Sequence, residues 1–207
     1  MRRSAAEKYL AQYESTKIKR RRRTDKELWL SLFAIGVITA VYVFVVRWYR
    51  AVPAASGFFG HSIGIIGFLL MLSTETLYSI RKRGLKAQWG PMASWLQFHI
   101  FSGIVGPYMV LLHTSWKFNG IAGATTLLTI IIVVSGFIGR YIYTRIPRTL
   151  DGAEISAAEG ESQSVALART RKIFATWHAI HIPIGMALFT AAFIHIGAAL
   201  YYATLLH

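Results

Sequence analysis

FHIFSGIVGPYMVLLH (residues 98–113) and WHAIHIPIGMALFTAAFIH (residues 177–195) are apolar stretches that each hold two histidines fourteen positions apart, His99 with His113 and His181 with His195. At about 100° and about 1.5 Å per residue, fourteen steps return a side chain to within about 40° of its starting azimuth and about 21 Å farther along a helix. Both histidines of a pair then point the same way at two depths. Two such helices face to face present two stacked His/His couples, the arrangement that two axially ligated haems require. For one histidine alone, a hydrogen-bonded core or interfacial role is the commoner reading. The repeated spacing, in segments where ionisable residues are scarce, is what favours ligation.

The neighbouring glycines fit the same reading. Gly103 and Gly185 each follow a leading histidine by four positions, one turn along nearly the same face, and Gly106 lies midway between His99 and His113. A flat macrocycle held by a helix needs unobstructed backbone beside it, which glycine provides. Ordinary close packing of helices is the alternative for each of these glycines.

With 54% hydrophobic and 15% charged residues in 207, the chain is too apolar for one soluble domain and reads as a polytopic membrane protein. Five apolar runs, about 28–49, 57–80, 93–114, 120–143 and 173–203, are near or above the ~20 residues that a bilayer core requires. The expected fold is an all-α membrane bundle of five transmembrane helices, residues 28–207, preceded by a basic arm, residues 1–27. The fifth run carries Pro183 and is long, so a kink or an extension beyond the membrane is expected.

Basic residues alternate between loops. The arm to residue 27 holds ten, residues 81–86 hold four and residues 140–172 hold six, whereas Arg47, Arg50 and Lys117 are the three elsewhere. The positive-inside rule then places the N-terminus and the loop of about 144–172 in the cytoplasm and His207 outside, in a bacterial cytoplasmic membrane. The net charge of +14 is thereby mostly topogenic. The Lys17, Lys19, Arg20–Arg23 run abuts a span, where anionic lipid is a nearer partner than nucleic acid, which is set aside. The arm itself reads either as a short surface helix or as a segment ordered by a partner.

The absence of cysteine excludes disulfides, thiolate-held iron-sulfur clusters and thioether-attached haem, leaving histidine as the strong iron ligand. DGAEISAAEGESQSVALART, residues 151–170, reads as a cytoplasmic loop with four of the nine acidic residues and no phosphate-binding glycine fingerprint. The third and fifth spans, separated by one span, run parallel. They pair His99 with His181 near the cytoplasmic side and His113 with His195 near the outer side. Bis-histidine ligation leaves no open iron site, which suits the passage of single electrons.

The His, thirteen residues, His spacing on two parallel helices resembles the dihaem core of respiratory cytochrome b subunits and of the ferric reductase-like transmembrane family. FHIFSGIVGPYMVLLH, SGFIGRYIYTRIPR and WHAIHIP are similar to small bacterial cytochrome b-like proteins of the second type, over about residues 58–203. The resemblance implies two non-covalent b-type haems ligated by His99, His113, His181 and His195. Ferric reductases and NADPH oxidases add a flavin and nicotinamide domain that this sequence lacks. The electron donor or acceptor is then another chain, such as a cytochrome c, iron-sulfur or flavin protein, or a quinol.

Four further residues are candidates. Glu75 is the carboxylate well inside a span, with His61 fourteen positions earlier on the same helix; together they mark a quinone or proton site, against simple pairing of Glu75 with Arg81 or Arg83. Arg140 suits a haem propionate or a topogenic charge. His178, one turn before His181, reads as a supporting or interfacial residue. The expected function is transmembrane electron transfer by a subunit of an oxidoreductase complex rather than by a complete enzyme. A non-redox scaffold or channel subunit, with histidines holding another metal or making proton contacts, is the alternative.

Overall fold

Apolar runs without internal breaks favour helix in lipid, because only a helix satisfies its own backbone polar groups there. The computed structural model, which describes residues 26–82, 92–143 and 161–205, is helical throughout its long elements. These are α1 (Lys26–Tyr49), α2 (Phe58–Lys82), α3 (Met92–His113), α4 (Gly120–Tyr143) and α5 (Glu161–Leu205). All five are long and apolar enough to cross a membrane. The arm up to residue 25, residues 83–91, residues 144–160 and His207, to which sidedness and loop expectations were attached, lie outside the described residues.

The helices are inside out relative to a water-soluble bundle. On α1, Glu27, Ser31 and Tyr42 are buried, whereas Trp29, Phe33, Phe44 and Trp48 are 65–74% exposed. On α4, Thr125, Thr126 and Thr129 face inward while Leu127, Ile130, Val134 and Phe137 face outward. Large apolar side chains turned outward on every side are what a hydrocarbon solvent selects. The inward hydroxyls are satisfied locally: Ser31 donates to Glu27 O at 2.7 Å and Thr129 to Thr125 O at 2.8 Å.

Contacts between helices fix their directions. His99, Gly106 and His113 of α3 meet Thr74, Gly67 and Gly60 of α2, so these two helices are antiparallel. Phe68 of α2 meets Phe189 and Phe193 of α5, and Glu75 lies beside Gly185, so α2 is antiparallel to α5 as well. It follows that α3 and α5 are parallel. Tyr143 and Ser135 of α4 meet Phe174 and Trp177 of α5, making that pair a second antiparallel hairpin. The ends of the bundle are called here near, where Lys26 begins α1, and far, where Tyr49 closes it. Ser115 and Trp116, with φ of 50° and 63°, turn the chain at the far end between α3 and α4, where Ser115 Oγ donates to Pro53 O at 2.6 Å.

The fifth helix departs from the sequence reading at its start. Residues 161–172, expected to be loop, are the first turns of α5, and the element continues through Pro183 for 45 residues. At ~1.5 Å per residue that is about 67 Å, more than twice a hydrocarbon core of about 30 Å. Ala, Glu, Gln, Leu and Arg in ESQSVALART are strong helix formers, and a polar helix gives no hydropathy signal.

Candidate functional site

The histidines of α3 are oriented by backbone carbonyls of α2. His113 Nδ1 lies 2.8 Å from Gly60 O, and His99 Nδ1 lies 3.4 Å from Thr74 O. A carbonyl only accepts, so each Nδ1 carries the proton and donates, which leaves the Nε2 lone pair free to bind a metal. Gly64 makes room for the first of these rings: a Cβ there would stand 2.7 Å from His113 Cγ. On α5, His181 Nδ1 is 3.0 Å from Ser135 Oγ. His195 makes no hydrogen bond among the described residues.

The histidines of the two helices come within electrostatic range of one another at two heights. His181 interacts with His99, and with His178 on its own helix, while His195 interacts with His113. Yet α3 and α5 are not among the closely packed helix pairs, which are α2 with α3, α4 with α5, α1 with α3 and α3 with α4. The two histidine-bearing helices are thus held mainly through α2 and α4. Near the first level, nothing lies within 4 Å of a Cβ placed on Gly103, and the nearest atoms to one on Gly185 are Glu75 Oε2 and Ile132 Cδ1 at 3.9 Å. Between the two levels the filling is apolar: Leu188, midway between His181 and His195, is 2% exposed, and Phe68 stands edge-on to Phe193 at 5.5 Å.

No family model, curated protein or solved structure matches this chain. The chemistry of the site therefore rests on its donor set. Among the described residues, no group of three or more His, Cys, Asp or Glu is placed to hold a metal. Each level offers two imidazoles, which is too few for a bare transition ion but suits a metal that brings its equatorial ligands with it.

The other candidates separate. Gly106 packs against α2: a Cβ there would stand 2.8 Å from Met71 Cγ and 2.9 Å from Gly67 O. Close approach of α2 and α3 is what it permits. Arg140 donates from Nη2 to Glu27 Oε1 at 3.0 Å, joining the last turn of α4 to the first turn of α1. Glu75 and His61 are not brought together. Glu75 reaches toward Gly185 on the near side, whereas the exposed His61 ring is 6.3 Å from the His113 ring on the far side. His178 stacks on Phe174, with centroids 6.3 Å apart at 20°.

Sequence reasoning passed over Thr74, Gly60, Gly64, Ser135, Gly139 and Trp177, which support or make room for the histidines. Gly60, Gly64 and Gly67, at helical spacing on α2, were the readable signal of a helix that admits close neighbours. Ser135 and Gly139, one turn apart on α4, were another.

Proposed function

We propose that this protein is a membrane electron-transfer subunit that holds two b-type haems, one between His99 and His181 and the other between His113 and His195. What supports this reading is the repeated His spacing on two parallel helices, His99/His113 and His181/His195, with the α3 imidazoles held by Thr74 O and Gly60 O so that their Nε2 atoms are free. Bound haem supplies reversible one-electron chemistry at each level. The chain's own residues do the rest. Thr74 O and Gly60 O hold the α3 imidazoles in the tautomer that exposes Nε2, Gly103 and Gly185 leave the space beside the near-side couple open, and Leu188 and Phe68 exclude water between the levels.

The two levels are about 21 Å apart along the helices, most of a hydrocarbon core of about 30 Å, so electrons would pass between the two faces of the membrane. Glu75, a carboxylate within the spans and near Gly185, is the group we assign to proton exchange with a quinone on the near side. The chain works with redox partners at each face, the near face being cytoplasmic in the orientation that the basic residues favour. Spectroscopy of the purified protein tests the reading: a reducible b-type absorption spectrum at two haems per chain is expected, and its absence from protein supplied with haem would overturn the proposal.

A further inference from the structure

His99 and His113 turn Nδ1 toward backbone carbonyls, whereas His181 Nδ1 meets the hydroxyl of Ser135. A hydroxyl both donates and accepts, so Ser135 by itself does not choose the tautomer of His181. Trp177, one turn before His181, completes the arrangement. Its Nε1–H, a donor only, reaches Ser135 O at 2.8 Å and Ser135 Oγ at 3.1 Å. The indole also lies over the imidazole, with ring centroids 4.7 Å apart at 30°, and is braced by Phe174 at 5.2 Å. Gly139 makes this possible, since any Cβ at that position would run into the indole ring.

We propose that Ser135 and Trp177 are positioning residues that set the plane, tautomer and donor strength of His181 toward the metal on the near side; this rests on the haem reading above. Metal binding at Nε2 requires the Nδ1–H of His181 to donate to Ser135 Oγ. That oxygen already accepts the indole N–H on another lone pair, which weakens it as an acceptor for His181. The imidazole is therefore less electron-rich than one donating to an uncommitted oxygen. The two side chains then act on the metal with opposite signs.

Removing the indole N–H in Trp177→Phe makes Ser135 a stronger acceptor, enriches His181 and favours the ferric state. Removing the hydroxyl in Ser135→Ala leaves Nδ1–H without that acceptor and favours the ferrous state, while the carbonyl at position 135 still anchors Trp177. Outer partners of metal ligands change affinity about tenfold or more. A tenfold change in the ferric-to-ferrous binding ratio is about 59 mV for one electron.

The experiment is a redox titration, followed by absorbance, of the purified full chain with haem bound. One midpoint potential is expected to fall in Trp177→Phe and the same one to rise in Ser135→Ala, each by about 59 mV, with the second potential unmoved and the parent value kept in Ser135→Thr. Shifts of the same sign, no shift, or haem lost from both Trp177→Phe and Ser135→Thr would overturn the relay by assigning these residues to packing alone. A parent protein that binds no haem would instead overturn the haem reading, and shows it before any variant is made.

Discussion

Gly64→Ala places a methyl group where the His113 ring now lies. The new Cβ would stand 2.7 Å from Cγ and 2.8 Å from Nδ1, where ordinary contact begins at 3.4 Å, so the ring must retreat by about 0.7 Å. A retreat of that size takes the 2.8 Å bond to Gly60 O out of the normal hydrogen-bonding range. Overpacking costs about 1–3 kcal/mol and the lost bond about 0.5–1.5 kcal/mol, partly offset by about 0.5–1 kcal/mol for Gly to Ala inside a helix, giving roughly 0.5–4 kcal/mol in all. Gly103→Ala is the matched control, because nothing lies within 4 Å of its Cβ position. In the protein alone it should be neutral or stabilising by roughly 0.5–1 kcal/mol, as expected for Gly to Ala inside a helix. Thermal unfolding in detergent, read by circular dichroism, gives the stability, and haem-to-protein ratios give the occupancy. Gly64→Ala should lose stability and the far-side haem, whereas Gly103→Ala should keep its helices and lose near-side haem. A Gly64→Ala protein with parental stability and both haems would refute the clearance argument.

Replacing His113 or His195 by Ala should remove one haem and replacing His99 or His181 the other, so haem-to-protein ratios fall from about two to about one; full occupancy in His113→Ala would break the assignment. Arg140→Met leaves the Glu27 carboxylate, 3% exposed, without its cation, and should destabilise by about 3–5 kcal/mol. The double variant with Glu27→Gln should recover most of that loss in the same unfolding assay, and equal losses in both would show that the ion pair is not the cause. With five helices crossing, cysteines introduced at Lys26 and Leu205 should react with impermeant reagents from opposite sides of sealed vesicles; reaction from one side would contradict the parallel course of α3 and α5.

The five spans were legible because a run of about twenty apolar residues is a local property, and the ends of α1 to α4 fall within two or three residues of the reading from hydropathy. The start of α5 was not, since its first turns are helical by propensity rather than by hydropathy. Histidine spacing is likewise local, and three of the side chains it marked, His99, His113 and His181, meet polar groups of neighbouring helices through Nδ1. The supports of those histidines come from α2 and α4, at sequence separations from 25 residues for His99 and Thr74 to 53 for His113 and Gly60. No spacing rule within one segment reaches that far. The role of Gly106 was open for the same reason, because a glycine that admits a neighbouring helix and one that admits a ligand are identical until the neighbour is known.

The two histidine-bearing helices belong to different packing units. One belongs to the unit in which α1 and α2 pack on α3, the other to the α4–α5 hairpin, and each histidine couple draws one member from each. In the proposed reading a haem at each height would tie these units together, adding to the direct contacts of Phe68 with Phe193 and of Arg140 with Glu27. His181 and His195 both lie on α5, so a chain stalled in synthesis before that helix would lack one member of each proposed pair.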